Sequence, residues 1–452
     1  MRWGYRHLAV GLMGAAIMQS AQAQDNGGAE AGLTVSPGLF FEDDETRARL
    51  GFGATYKTAT RTQQFTLGFD GAFDSGYDDI EDSLRSPRLT LSYGLENRNI
   101  ALNTQASYRR DQIDALIFGQ ASQSAQTNTS LFRDDLESDF LVIGTGQRAD
   151  LNTSANLTFG RAAPFGGTLS LGYRTRSYLD TVDPTLLDEE TRSAGLALRF
   201  TIDPRLTARL SGNVSETDVD DPGTDQRRTS LNAGLDMAVS PLVDVSLTLG
   251  ATEVISTTPL ESTTNDGGSA TLSATRALTN GTLSGRIDSN VTAGGRLSTF
   301  RADRAFDLRS GGQLSFGAGI GQIDNDDVQA LARASWTGET QTGRYALTLN
   351  RTLAINSDGE SALNSVVSLS WQQDLDRVSS FGTGLSLRDT TRLDGGADTA
   401  QANLSLSWRR DLTQNWRVRT TYTHRWSQET GSTDTDDYSV FLGFERNFQW
   451  RP

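Results

Sequence analysis

Cysteine is absent from these 452 residues, which excludes a disulfide framework and a lipidated N-terminal cysteine. Lysine is nearly absent too: Lys57 stands alone, and the basic side of the chain is otherwise arginine. Histidine occurs only as His7 and His424, so no His/Cys metal constellation can be drawn, and no Gly-rich phosphate loop is found. No cofactor and no metal are expected. Beyond residue 18 no segment is continuously apolar, whereas a membrane-spanning helix takes roughly 20 such residues. The net charge of −15 argues against nucleic acid as the main partner. Proline is scarce, with nine residues, and only 36% of the chain is apolar. So polar a soluble chain would be suspected of disorder, unless its apolar residues follow a period.

What is present begins with a three-part N-terminus. A basic start, Met1 to His7, precedes an apolar run from Leu8 to Met18 and the small-x-small triplet Ala21-Gln22-Ala23. This is the layout of a cleaved secretory signal. The expected division is a signal peptide over 1–23 and an exported domain over 24–452, without a lipid anchor. Length alone allows two or three domains. No composition break, Pro-rich linker or change of period divides the chain.

The period is two. Apolar side chains alternate through Ala48-Leu50-Phe52-Ala54-Tyr56, Phe65 to Phe73 and Leu89 to Leu95, and again through Leu196 to Ile202, Leu231 to Val239 and Ala400 to Trp408. Alternation puts one apolar and one polar face on a strand. Segments of about ten residues are what a tilted strand needs to cross a bilayer. The connections alternate as well. Tight ones, such as Glu96 to Asn99, Asp203-Pro204, Asn280-Gly281 and Asp411 to Asn415, trade places with longer acidic ones. The latter include Asp74 to Asp82, Asp180 to Glu190, Asp218 to Asp225, Glu261 to Gly268 and Glu429 to Asp437. A segment from Thr299 to Phe306 alternates poorly.

The last stretch carries a resemblance. One side of residues 438–450 shows Tyr438, Val440, Leu442, Phe444, Phe448 and Trp450, broken by Arg446. An aromatic-ended amphipathic strand at a C-terminus resembles the closing strand of Gram-negative outer-membrane β-barrels of the porin kind. Arg451 and Pro452, which follow the last aromatic, are a small departure from that pattern. The resemblance implies an all-β fold: a single transmembrane antiparallel up-and-down β-barrel of about 22 strands (roughly 20 to 24). It also implies location in the outer membrane. The partners it implies are outer-membrane lipids, lipopolysaccharide and the barrel-assembly machinery, for which the six apolar residues act as signal.

With tight turns at one end, Trp336, Trp371, Trp408 and Trp450 end strands there and Trp416 begins one, while Trp426 lies near the opposite end. Such rings favour the headgroup level, so these tryptophans are expected to form interface girdles. Parity directs Arg47, Arg49, Lys57, Arg88, Arg109, Arg174, Arg176, Arg199, Arg209, Arg286, Arg388, Arg417 and Arg419 into the lumen. Most acidic residues are expected in connections, with Asp70, Glu96 and Glu445 as inward exceptions. An arginine wall that attracts anions or orients a sugar-like solute is one reading. The other is that a wet interior tolerates arginine, which lipid excludes at about 2–4 kcal/mol at mid-depth.

His424 has lipid-facing parity and no catalytic motif around it, so no enzyme is expected. The acidic clusters 42–44, 134–135, 188–190 and 324–327 read as solvated loop residues, or as divalent-cation bridges to lipopolysaccharide. None has the spacing of an EF-hand loop. Residues 111–150 form the longest break in the pattern, expected either to constrict the lumen or to extend as paired strands beyond the membrane. The strands begin almost at once, so no separate N-terminal plug is expected. Passive passage of small or oligomeric polar solutes is the leading function. Export of a secreted polysaccharide and a structural or adhesive barrel are the alternatives.

Overall fold

A strand in hydrocarbon has no water to bond, so each backbone N–H and C=O must find another strand. The chain meets this demand by closing on itself. The computed structural model describes residues 28–42, 45–75, 84–113, 146–181, 186–220, 222–309, 311–324, 326–355, 359–431 and 434–450. The proposed signal peptide, Asp43-Asp44, residues 114–145 and Arg451-Pro452 lie outside them.

The first strands are β1 (Ala29–Glu42), β2 (Glu45–Ala59), β3 (Gln63–Asp74), β4 (Leu84–Glu96), β5 (Ile100–Gln112), β6 (Gln147–Phe159), β7 (Phe165–Leu179) and β8 (Glu189–Asp203). There follow β9 (Leu206–Val219), β10 (Asp225–Ser240), β11 (Val243–Thr257), β12 (Ser262–Leu278), β13 (Gly281–Thr292), β14 (Gly295–Asp307) and β15 (Gln313–Ile323). The last are β16 (Gln329–Glu339), β17 (Gly343–Ile355), β18 (Ser361–Asp374), β19 (Ser379–Arg392), β20 (Thr399–Asp411), β21 (Trp416–Glu429) and β22 (Thr435–Trp450). Each pairs antiparallel with its neighbours in sequence, and β22 pairs with β1 from Ala31↔Trp450 to Glu42↔Ser439. The result is a closed 22-stranded antiparallel barrel with both terminal strands ending on the tight-turn side.

Polar side chains make the turns. Asn97 Oδ1 accepts from the amides of Asn99 and Ile100 at 2.9 and 2.8 Å, and Asp203 Oδ1 accepts from Arg205 N at 2.7 Å. In the turn after β18, Asp376 Oδ1 accepts from Val378 N and Ser379 N at 2.8 Å each. The Val378 amide is the largest cause holding that carboxyl below the usual carboxylate range.

At the other end the sequence reading needs correction. Glu189 and Glu190 begin β8, Ser262 to Gly268 belong to β12, and Thr435 to Asp437 open β22. These acidic stretches are paired strand that continues past its apolar part, so polarity alone misplaces them in loops. The connection after β13 is only 293–294. The contrast between long and tight connections is therefore concentrated between β3 and β8.

Register assigns the faces. Within the strands the exposed rings and aliphatics, among them Leu39, Leu50, Phe165, Leu196, Leu231, Leu249, Phe300 and Leu442, fall on the outer face. Aromatic pairs ring the tight-turn end: Tyr56 with Phe65 at 6.3 Å, Phe165 with Phe200 at 5.0 Å, Trp336 with Tyr345 at 4.6 Å and Trp371 with Phe381 at 6.0 Å. Trp408, Trp416 and Trp450 face outward at this end, and Trp426 faces outward toward the other.

The poor alternation of Thr299 to Phe306 has a local cause. Arg304 lies on the outer face near a tight turn, its guanidinium carbon 4.1 Å from the Phe306 ring centroid, and it donates to Thr282 O at 2.9 Å. Arg446 behaves alike, stacked over Trp416 and Phe448 at 5.1 and 4.5 Å. Long arginine stems reach headgroup level, so outward arginine is tolerated at a strand end.

Leu198 faces out from β8 and Ala197 faces in. Leu198→Arg should abolish heat-modifiable folded barrel, because it sets a charge against hydrocarbon at about 2–4 kcal/mol. Ala197→Arg should assemble normally. Equal assembly of both variants, read by gel mobility, would overturn this register.

Candidate functional site

The inner face is built from serine, threonine, asparagine, glutamine, glycine and arginine, and its hydroxyls bond across strands. Ser246 meets Ser273 at 2.7 Å, Ser315 meets Ser335 at 2.6 Å, and Thr34 donates to Asn447 Oδ1 at 2.7 Å. Register places each of the arginines that parity directs inward, from Arg47 to Arg419, together with Lys57, on this face. It adds several that the sequence reading passed over: Arg85, Arg148, Arg228, Arg301, Arg333 and Arg425. Their strand parity carried the signal, but the uneven segments around them hid it.

The acidic residues require a larger correction. Beyond Asp70, Glu96 and Glu445, the inner face also holds Glu42, Asp74, Asp111, Asp150, Glu189, Asp236, Asp288 and Asp303. They answer the arginines. Arg49 bonds Asp74 through two contacts of 2.6 Å, Arg286 bonds Asp288 at 2.7 Å, and Arg417 lies 3.1 Å from Glu445. Arg209 pairs with Asp236, Arg333 with Asp303, and Arg47 with Glu42 at 3.5 Å. Arg199 donates to Gly160 O at 3.3 Å, and Arg88 faces Asp70 across β3 and β4. The wall is thus a lattice of opposed charges, not a uniformly positive surface.

Its densest node is Asp150 on β6. Arg148, Arg176 and Arg109 approach it at 2.9, 3.3 and 3.6 Å, while Asp111 and Glu189 hold the outer sides of Arg109 and Arg176 at 2.9 and 3.5 Å. Arg148, Asp150 and Arg176 are buried. Register stacks them at one level of β5, β6, β7 and β8.

An apolar knot interrupts the polar wall at one side of the mouth. Leu297, Ile323 and Leu331 face inward from β14, β15 and β16, and pack with Leu353, Ile355 and Leu363 into one buried cluster. The β16 ladder to β17 stops at Ala332↔Arg351, which frees the end of β17 to lean over the wall. A Cβ on inward-facing Gly321 would meet Leu331 and Leu353 at 3.2 and 3.3 Å, and one on Gly294 would meet Gly359 O at 2.5 Å. Glycine is required nearby at Gly295, with φ +108°, where a Cβ would stand 1.9 Å from Asp324 Oδ2.

His424 pairs with Asp436 on the outer face of β21 and β22. Among the described residues no group of three His, Asp or Glu side chains is arranged to hold a metal ion. Most of the 111–150 break, residues 114–145, lies outside the described residues.

No protein-family description and no curated protein matches this chain. Solved structures do. The siderophore receptor PirA from Acinetobacter baumannii matches with a TM-score of 0.54 at 8% identity, covering 94% of this chain and 81% of that one. A mutant of the ferric enterobactin receptor PfeA from Pseudomonas aeruginosa, crystallised with enterobactin, matches at 0.54 and 10% identity, covering 94% and 82%. BauA, the ferric preacinetobactin receptor from Acinetobacter baumannii, matches at 0.55 and 11% identity, covering 94% and 80%. The chain has the fold of an outer-membrane β-barrel. At such identity the likeness is one of fold, and what the wall does rests on its own residues.

Asp150→Asn tests the node. It leaves three arginines around a neutral side chain and should cost about 3–5 kcal/mol, the usual consequence of removing one partner of a buried ion pair. The midpoint of urea unfolding in lipid should fall accordingly, while Glu261→Gln in an exposed connection should leave it in place.

Proposed function

We propose that this protein is an outer-membrane transport protein whose lumen passes polar solutes passively, without a catalytic step or cofactor of its own. One observation carries the reading: a closed barrel whose inner face is hydroxyls, amides and mutually compensated Arg–carboxylate pairs. Such a wall exchanges hydrogen bonds with a hydrated solute and offers neither sign of ion a deep well. The fold neighbours support transport across the outer membrane more broadly. They also favour a second reading, receptor-type uptake of a bound solute, because the proteins they describe are siderophore receptors.

Membrane lipids, lipopolysaccharide and the assembly machinery are the partners proposed for the outer face and the β22 strand. In this reading the tight turns face the periplasm and the longer connections face outside.

Planar-bilayer conductance of the refolded protein separates the readings. Passive passage gives a steady current with cation and anion permeabilities within about threefold of each other, because the wall charges cancel. A silent bilayer would favour the receptor reading, and strong anion selectivity would overturn the compensated wall.

Orientation has its own test. A cysteine at Leu260, which is 98% exposed in the connection between β11 and β12, should react with an impermeant thiol reagent on whole cells. A cysteine at Asn280, in the turn between β12 and β13, should stay unlabelled until the outer membrane is opened. The reverse pattern would invert the topology.

A further inference from the structure

Aromatic rings in this barrel face outward, with three exceptions in the described strands: Phe40, Phe441 and Tyr178. Two of them are neighbours, since Phe40 on β1 and Phe441 on β22 are register partners across the seam that closes the barrel. A water-filled lumen gives no reason to place apolar rings there, because each ring left wet forgoes the gain of burial. The wall nevertheless makes room for them. A Cβ at Gly38 would stand 2.7 Å from the Phe441 ring and one at Gly443 2.6 Å from it, so the ring lies along the wall over both glycines. Phe40 is capped by the Arg49 guanidinium, whose central carbon is 3.4 Å from the ring centroid and which Asp74 holds in place.

Beside the rings lies a recess of about 610 Å³, within the range of small-molecule sites. Arg419 and Arg425 line its β21 side. Neither forms an ion pair with a carboxylate among the described residues, unlike their neighbour Arg417. The buried Nε of Arg425 has no hydrogen-bond partner. Between these two arginines along β21, the hydroxyls of Thr421 and Thr423 also line the recess.

We infer that this seam recess binds a carboxylated sugar. The ring of Phe441 takes the apolar C–H face of a pyranose, the two unpaired guanidiniums, six residues apart on β21, each take a carboxylate, and the threonines take hydroxyls. An inorganic anion would leave the rings unused, and a flat aromatic anion would leave the hydroxyls unused. The inference deepens the transport reading by placing a selective station in the solute path.

The test uses the full refolded chain and digalacturonate as probe, with maltose and benzoate as comparators. Digalacturonate should interrupt single-channel current, scored against each variant's own open level. Phe441→Ala, and separately Arg419→Gln with Arg425→Gln, should each weaken that block by about tenfold or more. Maltose and benzoate should block at least about tenfold less well. Phe441→Leu, which keeps apolar bulk without the ring, replaces Phe441→Ala if heat-modifiable mobility shows that the alanine variant misfolds. Block unchanged in the variants, or equalled by maltose or benzoate, would overturn the assignment. If the bilayer is silent, the passive-passage reading fails but the recess is still testable. Calorimetric titration of the detergent-refolded barrel with digalacturonate should show binding weakened by the same substitutions, and absence of binding would overturn it.

Discussion

Closure of the β1–β22 seam is the contact on which the other features depend. A strand edge in hydrocarbon leaves unpaired amides and carbonyls at several kcal/mol each, so neither terminal strand can be left alone. The seam runs from Ala31↔Trp450 to Glu42↔Ser439 and is interrupted only beside Ser36 and Pro37, where proline has no N–H to give. Closure then sets the rest. An even strand number brings both ends to the tight-turn side, no edge remains to pair with another chain, and every strand acquires one lipid face and one lumen face.

That division of faces explains where the charges sit. Arginine on the outer face survives at strand ends, as at Arg304 and Arg446, where the guanidinium stacks on rings at headgroup level. Arginine on the inner face finds carboxylates from neighbouring strands at the same level, as Arg49 finds Asp74 and Arg176 finds Asp150 and Glu189. A planar guanidinium can bond two carboxylates at once, which a lysine ammonium does less well, and a chain with one lysine uses arginine for every such node. Arg419 and Arg425, like Arg199 and Arg301, form no ion pair with a carboxylate among the described residues.

The apolar knot at the mouth shows the same economy with the opposite chemistry. Leu297, Ile323 and Leu331 would be misplaced on a wet wall, but the leaning ends of β17 and β18 cover them. A barrel fold shared with siderophore receptors at 8 to 11% identity leaves such wall details free to differ.

The period of two, the tight turns and the aromatic-ended last strand determined a great deal alone: the all-β class, a strand number of about 22, and the facing of Arg47, Arg286 or Arg419, because alternation is a local property of extended chain. What lay beyond the sequence was pairing between strands. The acids opposite the arginines come from elsewhere in the chain, as Asp236 does for Arg209 and Asp303 for Arg333, and only register shows that they meet. Acidic ends such as Thr435 to Asp437 read as loop until their ladder partners on β21 are known. The Phe40–Phe441 pair joins residues near opposite ends of the chain, so it exists only once the barrel has closed.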